Sequence, residues 1–167
     1  MELEKNLTYI AEQGLEKDSE NIRFRKFLKA FDNKTVDGAV KLINAQVTSQ
    51  IDCTECGNCC RSFEPAIEDG EAGRLAAFLG IHKNEFIEKY VETDDLFDVS
   101  VMHHLPCIFL ENNKCKANDI KPYDCCDYPY THKTDFKANL IGIADSYGTC
   151  PIVYNVIEIL KKQLEFK

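Results

Sequence analysis

The stretch CTECGNCC, residues 53–60, holds four of the chain's nine cysteines in eight positions. Thiols this dense serve as disulfides, redox pairs, nucleophiles or metal ligands. Cys53, Cys56 and Cys59 repeat as C-x2-C-x2-C. That spacing lets the chain curl until neighbouring sulfurs reach one ion, while backbone N–H groups bond the thiolates. Zinc knuckles and iron–sulfur loops both use it. Gly57 follows the second cysteine, where a tight turn needs a permissive residue. The intervening residues are polar and offer no apolar face to bury. Metal ligation is therefore the chemistry this spacing supports best.

Cys60 is adjacent to Cys59, and neighbouring side chains diverge by about 100° in a helix and about 180° in a strand. One of the two is expected to join Cys53 and Cys56, the other to face a second site or act as a bridge. Downstream lie Cys107, Cys115, Cys125 and Cys150. With Cys126 set aside the total is eight, which suits two four-thiolate sites. It equally suits one four-thiolate cluster beside a partly occupied or reactive site. Cys126 balances between an extra ligand and a small buried hydrophobe. Cys150 precedes Pro151 at the expected start of the last helix, where the dipole favours a thiolate.

Among the histidines, His82 falls at a helix start, and one of His103 and His104 is expected to point inward near Cys107. His132 has the best position for a ligand or a partner of a ligand. For each of them a surface or core role outweighs direct ligation. The sequence contains no Ser/His/Asp pattern, P-loop or G-x-G-x-x-G.

The elements that must position these thiols are mostly helical. Leu3, Leu7, Ile10 and Ala11 form one apolar stripe; Phe24, Phe27, Leu28 and Phe31 form another. Val36, Ala39, Val40, Ile43 and Val47 form a third, with Thr35 as its expected N-cap. Gly14 and EKDSEN separate the first two helices. EDGEAGRLAAFLG predicts a helix ending at Gly80, and KNEFIEKYV another. LFDVSVMHHLPCIFLENNKC is strand-like, with a hairpin turning at ENNK between Cys107 and Cys115. KANDIKPYDCCDYPYTHKTDF, with its two prolines, reads mostly as loop. Pro151 then opens an amphipathic helix of about four turns. The expected fold is mainly α with a small β-hairpin and irregular metal-stapled loops, a single compact domain over residues 1–167. Residues 1–50 form its helical N-terminal segment and 51–167 its cysteine-cluster metal-binding region.

The formal net charge is −8, so a phosphate backbone is a poor partner and no nucleic acid is expected. The basic run RFRKFLK alternates with apolar residues at helical spacing and reads as a solvated helix face. The first residues carry acids and lack the apolar run of a signal peptide. No stretch approaches the roughly 18 apolar residues of a membrane span. A cytoplasmic location with no membrane association follows. Reduced thiols are expected there, and an odd cysteine count argues the same way.

CTECGNCC followed by PCIFLENNKC, IKPYDCCDYP and GTCPIVYNVIEILKKQL resembles the YkgJ-like CxxCxxCC cysteine-cluster family, a zinc- or iron-chelating domain. The resemblance spans roughly residues 35–165. It implies a metal centre, zinc or iron–sulfur, with Cys53, Cys56, Cys59, Cys60, Cys107, Cys115, Cys125 and Cys150 as the family-type ligand positions. Where family members often read R-P-x-x-C-R, this chain has Cys126 in place of the final arginine. Some relatives carry the domain in flagellin lysine methylases. The expected function is a cysteine-ligated metal-binding protein of structural or redox role. The alternatives are a metal- or cluster-dependent enzyme of protein modification and a metal-handling module with a protein partner. Neither a catalytic residue nor a reaction follows from the motif.

Overall fold

Amphipathic periodicity accounts for most of the elements that form. The computed structural model describes residues 2–94 and 99–167. Among the described residues the chain is mainly helical, 59% helix and 8% strand, with two small antiparallel hairpins. In chain order the elements are α1 (Leu7–Glu16), α2 (Asp18–Phe27), α3 (Asn33–Thr48), α4 (Cys53–Cys56), α5 (Asp69–Leu79), α6 (Lys83–Tyr90), β1 (Val91–Asp94), β2 (Val99–Met102), β3 (Leu110–Glu111), β4 (Lys114–Cys115), α7 (Tyr123–Asp127), α8 (Phe136–Asp145) and α9 (Pro151–Gln163). Contacts gather into two compact units, Met1–Asp52 with Pro129–Lys167, and Cys53–Tyr128.

The first unit is all-helical and built on α9. Residues 151–157 of this helix are buried without interruption, as befits a helix enclosed on all sides. The α3 stripe of Val36, Val40, Ile43 and Val47 is buried, and α3 packs on α9. Asp32, not Thr35, caps α3, its carboxylate accepting from the Thr35 N–H at 2.9 Å. Nor is Gly14 a helix break: α1 continues to Glu16, and Lys17 alone separates it from α2. Gly14 answers a packing need instead. A Cβ there would lie 2.6 Å from the Cα of Gly148, so the two backbones meet where no side chain fits. In the basic run Phe24 and Leu28 are buried, while Arg23, Arg25, Lys26 and Lys29 are exposed, as its spacing predicts.

Two polar groups tie the ends of this unit to α9. Asn155 accepts from the Glu4 N–H at 2.9 Å and donates to the Glu4 carbonyl at 2.7 Å. Lys161, 5% exposed, donates to Glu20 at 2.7 Å and Glu158 at 2.8 Å. Glu158 also accepts from Lys17 at 2.6 Å and from the Tyr147 hydroxyl at 2.9 Å. Burial pulls the Glu158 carboxyl upward, but hydrogen bonds from Lys161 and Lys17, together with the lysine charge and Tyr147, hold it below the usual carboxylate value.

The second unit has its own core of Ile67, Ala72, Leu75, Ala76, Phe86, Met102, Phe109 and Ala117. Helices α5 and α6 form as their periodicity predicts, and Gly80 ends α5 in a left-handed conformation. Strands β1 and β2 pair antiparallel, Val91 opposite Met102 and Asp94 opposite Val99. Residues 96–98, the beginning of the expected strand-like run, lie outside the described residues. The ENNK hairpin forms as expected: Leu110 faces Cys115, and Asn112 and Asn113 turn at φ 49° and 64°.

One expected loop contains two helix starts. Residues 123–127 form α7 because Glu71, from α5, accepts the Tyr123 N–H at 2.8 Å. At α8, the Asp37 carboxylate of α3 accepts the Asp135 and Phe136 N–H groups, both at 3.0 Å. Each short helix thus has its open donors satisfied by a carboxylate distant in sequence.

Candidate metal centre

Helix α4 is a single turn that places Cys53 and Cys56 three residues apart. The chain then reverses at Gly57, whose φ is +59°. A Cβ on Gly57 would lie 2.8 Å from the carbonyl oxygen and 2.9 Å from the Cα of Asn113. This glycine is therefore required twice, by its dihedral and by the approach of the hairpin turn. Arg61 spans the same junction, donating to the Gly57 carbonyl at 2.8 Å and to Asn113 Oδ1 at 2.6 Å. The first cysteine loop is thereby clamped onto the hairpin that carries Cys115.

Cys59 and Cys60 follow in a 3₁₀ turn over Cys59–Arg61. The Cys60 carbonyl accepts the Cys107 N–H at 2.7 Å, and the Cys107 carbonyl accepts the Leu110 N–H at 2.9 Å. Leu110 in turn pairs with Cys115. A continuous backbone path thus joins three of the expected ligands. Cys125 arrives on α7, held by Glu71 and by the Asp124 carboxylate, which accepts the Ala66 N–H at 2.8 Å.

Six of the expected ligands, Cys53, Cys59, Cys60, Cys107, Cys115 and Cys125, line one cavity of about 300 Å³. Phe63, Pro65, Met102, Phe109, Pro122 and Tyr128 supply apolar wall, and the Phe63 and Tyr128 rings lie 4.8 Å apart. Among the described residues lining it, the only charged side chains are Lys114 and Lys121, with no carboxylate or imidazole. Cys56 shares the α4 turn but does not line the cavity. Cys126 is exposed and also outside the lining. Cys150 is the buried N-cap residue of α9 in the other unit. None of the thiols forms a disulfide.

The histidines stand apart from the cavity. Neither His103 nor His104 points inward: both are exposed. His103 Nδ1 lies 3.0 Å from Glu64 and 3.2 Å from Glu92, and His104 Nδ1 lies 3.0 Å from the Pro106 carbonyl. The β2 end simply carries both rings to the surface. His82 is exposed at the N-cap of α6, and His132 is exposed in the first unit.

The thiols differ in their readiness to ionise. A hydrogen bond from Cys59 and the charges of Arg61 and Lys121 hold Cys60 down to about 7, against the opposing effect of burial. Burial pushes Cys107, Cys115 and Cys125 up, and a charge on Cys60 raises all three further. A cation entering the cavity would reverse that repulsion, since bound thiols are deprotonated. Among the described residues no three Cys, His, Asp or Glu side chains already stand at ligand spacing. The thiols are gathered by the fold without being closed around a point.

Sequence spacing identified the cysteines but not their surroundings. Lys121 lies within the K-P-x-x-C unit, yet its position beside the thiols depends on α7 docking. The same is true of Arg61, Asn113 and the Phe63–Tyr128 wall. Six thiols without a carboxylate are a poor site for magnesium or calcium, which favour carboxylate oxygens. They fit zinc or iron–sulfur.

A mainly helical domain that collects thiols from separated segments onto one cavity belongs to the class of cysteine-rich metal-binding domains. More specifically, the CxxCxxCC family, described as a "putative zinc- or iron-chelating domain", matches residues 52–142 of the 167, and the chain is a member of it. The matched segment contains every cysteine except Cys150. No curated protein and no solved structure matches the chain. Among the described residues no helix is long and apolar enough to cross a membrane.

Proposed function

We propose that this protein carries a cysteine-ligated metal centre, zinc or iron–sulfur, in the cavity of the second unit, in a structural or redox role. The observation that supports this most is the meeting of six thiols, with no carboxylate or imidazole among the described lining residues, at one cavity. Cys53, Cys59, Cys60, Cys107, Cys115 and Cys125 would hold the metal there. Zinc would supply a fixed cross-link between the loops, and an iron–sulfur cluster would supply one-electron chemistry. The chain's own part is to gather the thiols, balance their charge with Lys114 and Lys121, and keep water away with the Phe63 and Tyr128 rings. Ligands of this kind require a reducing compartment, so the cytoplasm is the proposed location.

A second reading is favoured by the cavity's size. At about 300 Å³ it equals the lower end of the range for small-molecule sites. A metal-dependent enzyme of protein modification, with a substrate side chain seated against the apolar wall, is consistent with that space. Metal analysis and visible absorption of anaerobically purified protein test the main reading. Stoichiometric zinc without colour, or iron with charge-transfer bands, supports it and separates the two metals. A folded protein that is colourless, contains no metal and takes none up overturns it.

A further inference from the structure

A second cavity, of about 590 Å³, belongs wholly to the helical unit and has no cysteine among its described lining residues. It is a groove along α1, α2 and α8, floored by the buried Phe24, Leu140 and Tyr147. Its rim is apolar and open. Leu15 is 85% exposed, and Ile22 and Ile141 are about half exposed. Apolar side chains gathered at one opening mark an interaction surface. The charges on the rim are sorted by end. Gly14, just before α2, meets Gly148, just after α8. Lys137, at the start of α8, donates to the Phe31 carbonyl beyond the end of α2. The two helices therefore run antiparallel, which sets Asp18 and Asp145 at the same end of the groove. Arg25, from the basic run, lines the groove two turns further along α2, about 10 Å away at 1.5 Å per residue. Asp145 also closes α8, where a carboxylate stands against the helix dipole.

We infer that this groove is the interface of a two-fold homodimer, in which Leu15 of each copy enters the groove of the other and Arg25 of each faces Asp18 and Asp145 of the other. A second copy is the occupant that the charges fit. Turned about a two-fold axis across the groove, it brings its basic end to the acidic end and its acidic end to the basic end. Both pairings form at once, as a self-complementary interface requires. A groove of one sign would instead repel its own copy. Shape follows the same rule, since one surface carries both the projecting Leu15 and the hollow that receives it. Pairing also gives Asp145 a cation at the helix end where its own dipole disfavours it.

Sedimentation equilibrium of the purified protein over a concentration series, under reducing conditions, is the test. Wild type should reach twice the mass of the chain. Leu15→Asp should be monomeric at concentrations where wild type is paired. Arg25→Asp makes both ends of the groove acidic, and Asp18→Lys with Asp145→Lys makes both basic. Each of these should be monomeric alone, and an equimolar mixture of the two should pair. A wild type that is monomeric throughout overturns the inference and leaves the groove to a different protein. A dimer that neither Leu15→Asp nor Arg25→Asp weakens overturns it as well, because the contact then lies elsewhere. Charge variants that stay monomeric when mixed overturn the pairing of the ends. All four side chains are exposed, and circular dichroism checks each fold; where one variant does not fold, the wild-type mass and the remaining variants decide.

Discussion

Gly57→Ala should both weaken the fold and loosen the metal. At φ +59° an alanine adopts a left-handed backbone, at a cost of about 1 kcal/mol. Its Cβ would also stand 2.8 Å from the Asn113 carbonyl oxygen and 2.9 Å from the Asn113 Cα. Both neighbours are backbone, so neither can swing aside. The loop and the hairpin turn must part by about half an ångström to reach ordinary contact, and overpacking of this kind costs about 1–3 kcal/mol. The combined loss is about 2–4 kcal/mol. It falls on the junction that Arg61 clamps, between the loop of Cys53 and Cys56 and the hairpin of Cys115. Metal should therefore pass to a competing chelator sooner than from wild type. Gly38→Ala is the control, because nothing lies within 4 Å of its Cβ position in α3. That change should stabilise by about 0.5–1 kcal/mol through helix propensity. Urea denaturation and chelator competition on both variants decide the matter. If Gly57→Ala unfolds and releases metal as wild type does, the docking of the loop on the hairpin is not what positions these thiols.

Two further predictions concern the helical unit. Because Glu158 is held below the usual carboxylate value, its contribution is fully present above that usual value and is lost as pH falls through the depressed one. The difference in melting temperature between wild type and Glu158→Gln should accordingly shrink as pH is lowered from 6 toward 3; a constant difference would refute the assignment. Lys161→Ala should destabilise by about 2–3 kcal/mol, somewhat below the cost of a wholly broken buried pair because Lys17 still reaches Glu158. Chemical denaturation checks this, and a loss below about 0.5 kcal/mol would place the lysine among ordinary surface ion pairs.

Legibility followed the range of the interactions. The stripes of α3 and α9, the Gly80 stop and the ENNK turn are local, and each formed as its residues predict. Capping was less legible where partners were distant. Nothing in YDCCD announces a helix, since its first N–H is satisfied by Glu71, 52 positions earlier. The start of α8 depends likewise on Asp37, 98 and 99 positions from the two donors. Gly14 misled for a related reason: a glycine in a helix looks like a stop until Gly148 is placed against it. At the candidate site the cysteines were legible by spacing, but Lys114, Lys121 and the aromatic wall were not. Their residue types are ordinary, and only the fold carries them to the thiols.

This division bears on how such a centre can assemble. Cys107 and Cys115 pack against the unit's own core, the cluster that includes Phe86 and Phe109. The Cys60–Cys107 link, the Arg61 clamp and the Glu71 cap are hydrogen bonds of the polypeptide itself. The segments are thus brought together by packing and backbone bonding, while the sulfurs remain short of ligand spacing. In the proposed centre, metal would add the last contraction. Cys60, with its ionisation held near neutrality, would be the proposed ligand that ionises most readily. Burial pushes the Cys107, Cys115 and Cys125 thiols up, and the charge of a bound cation would favour their ionisation. A centre built this way avoids four mutually repelling thiolates before metal arrives.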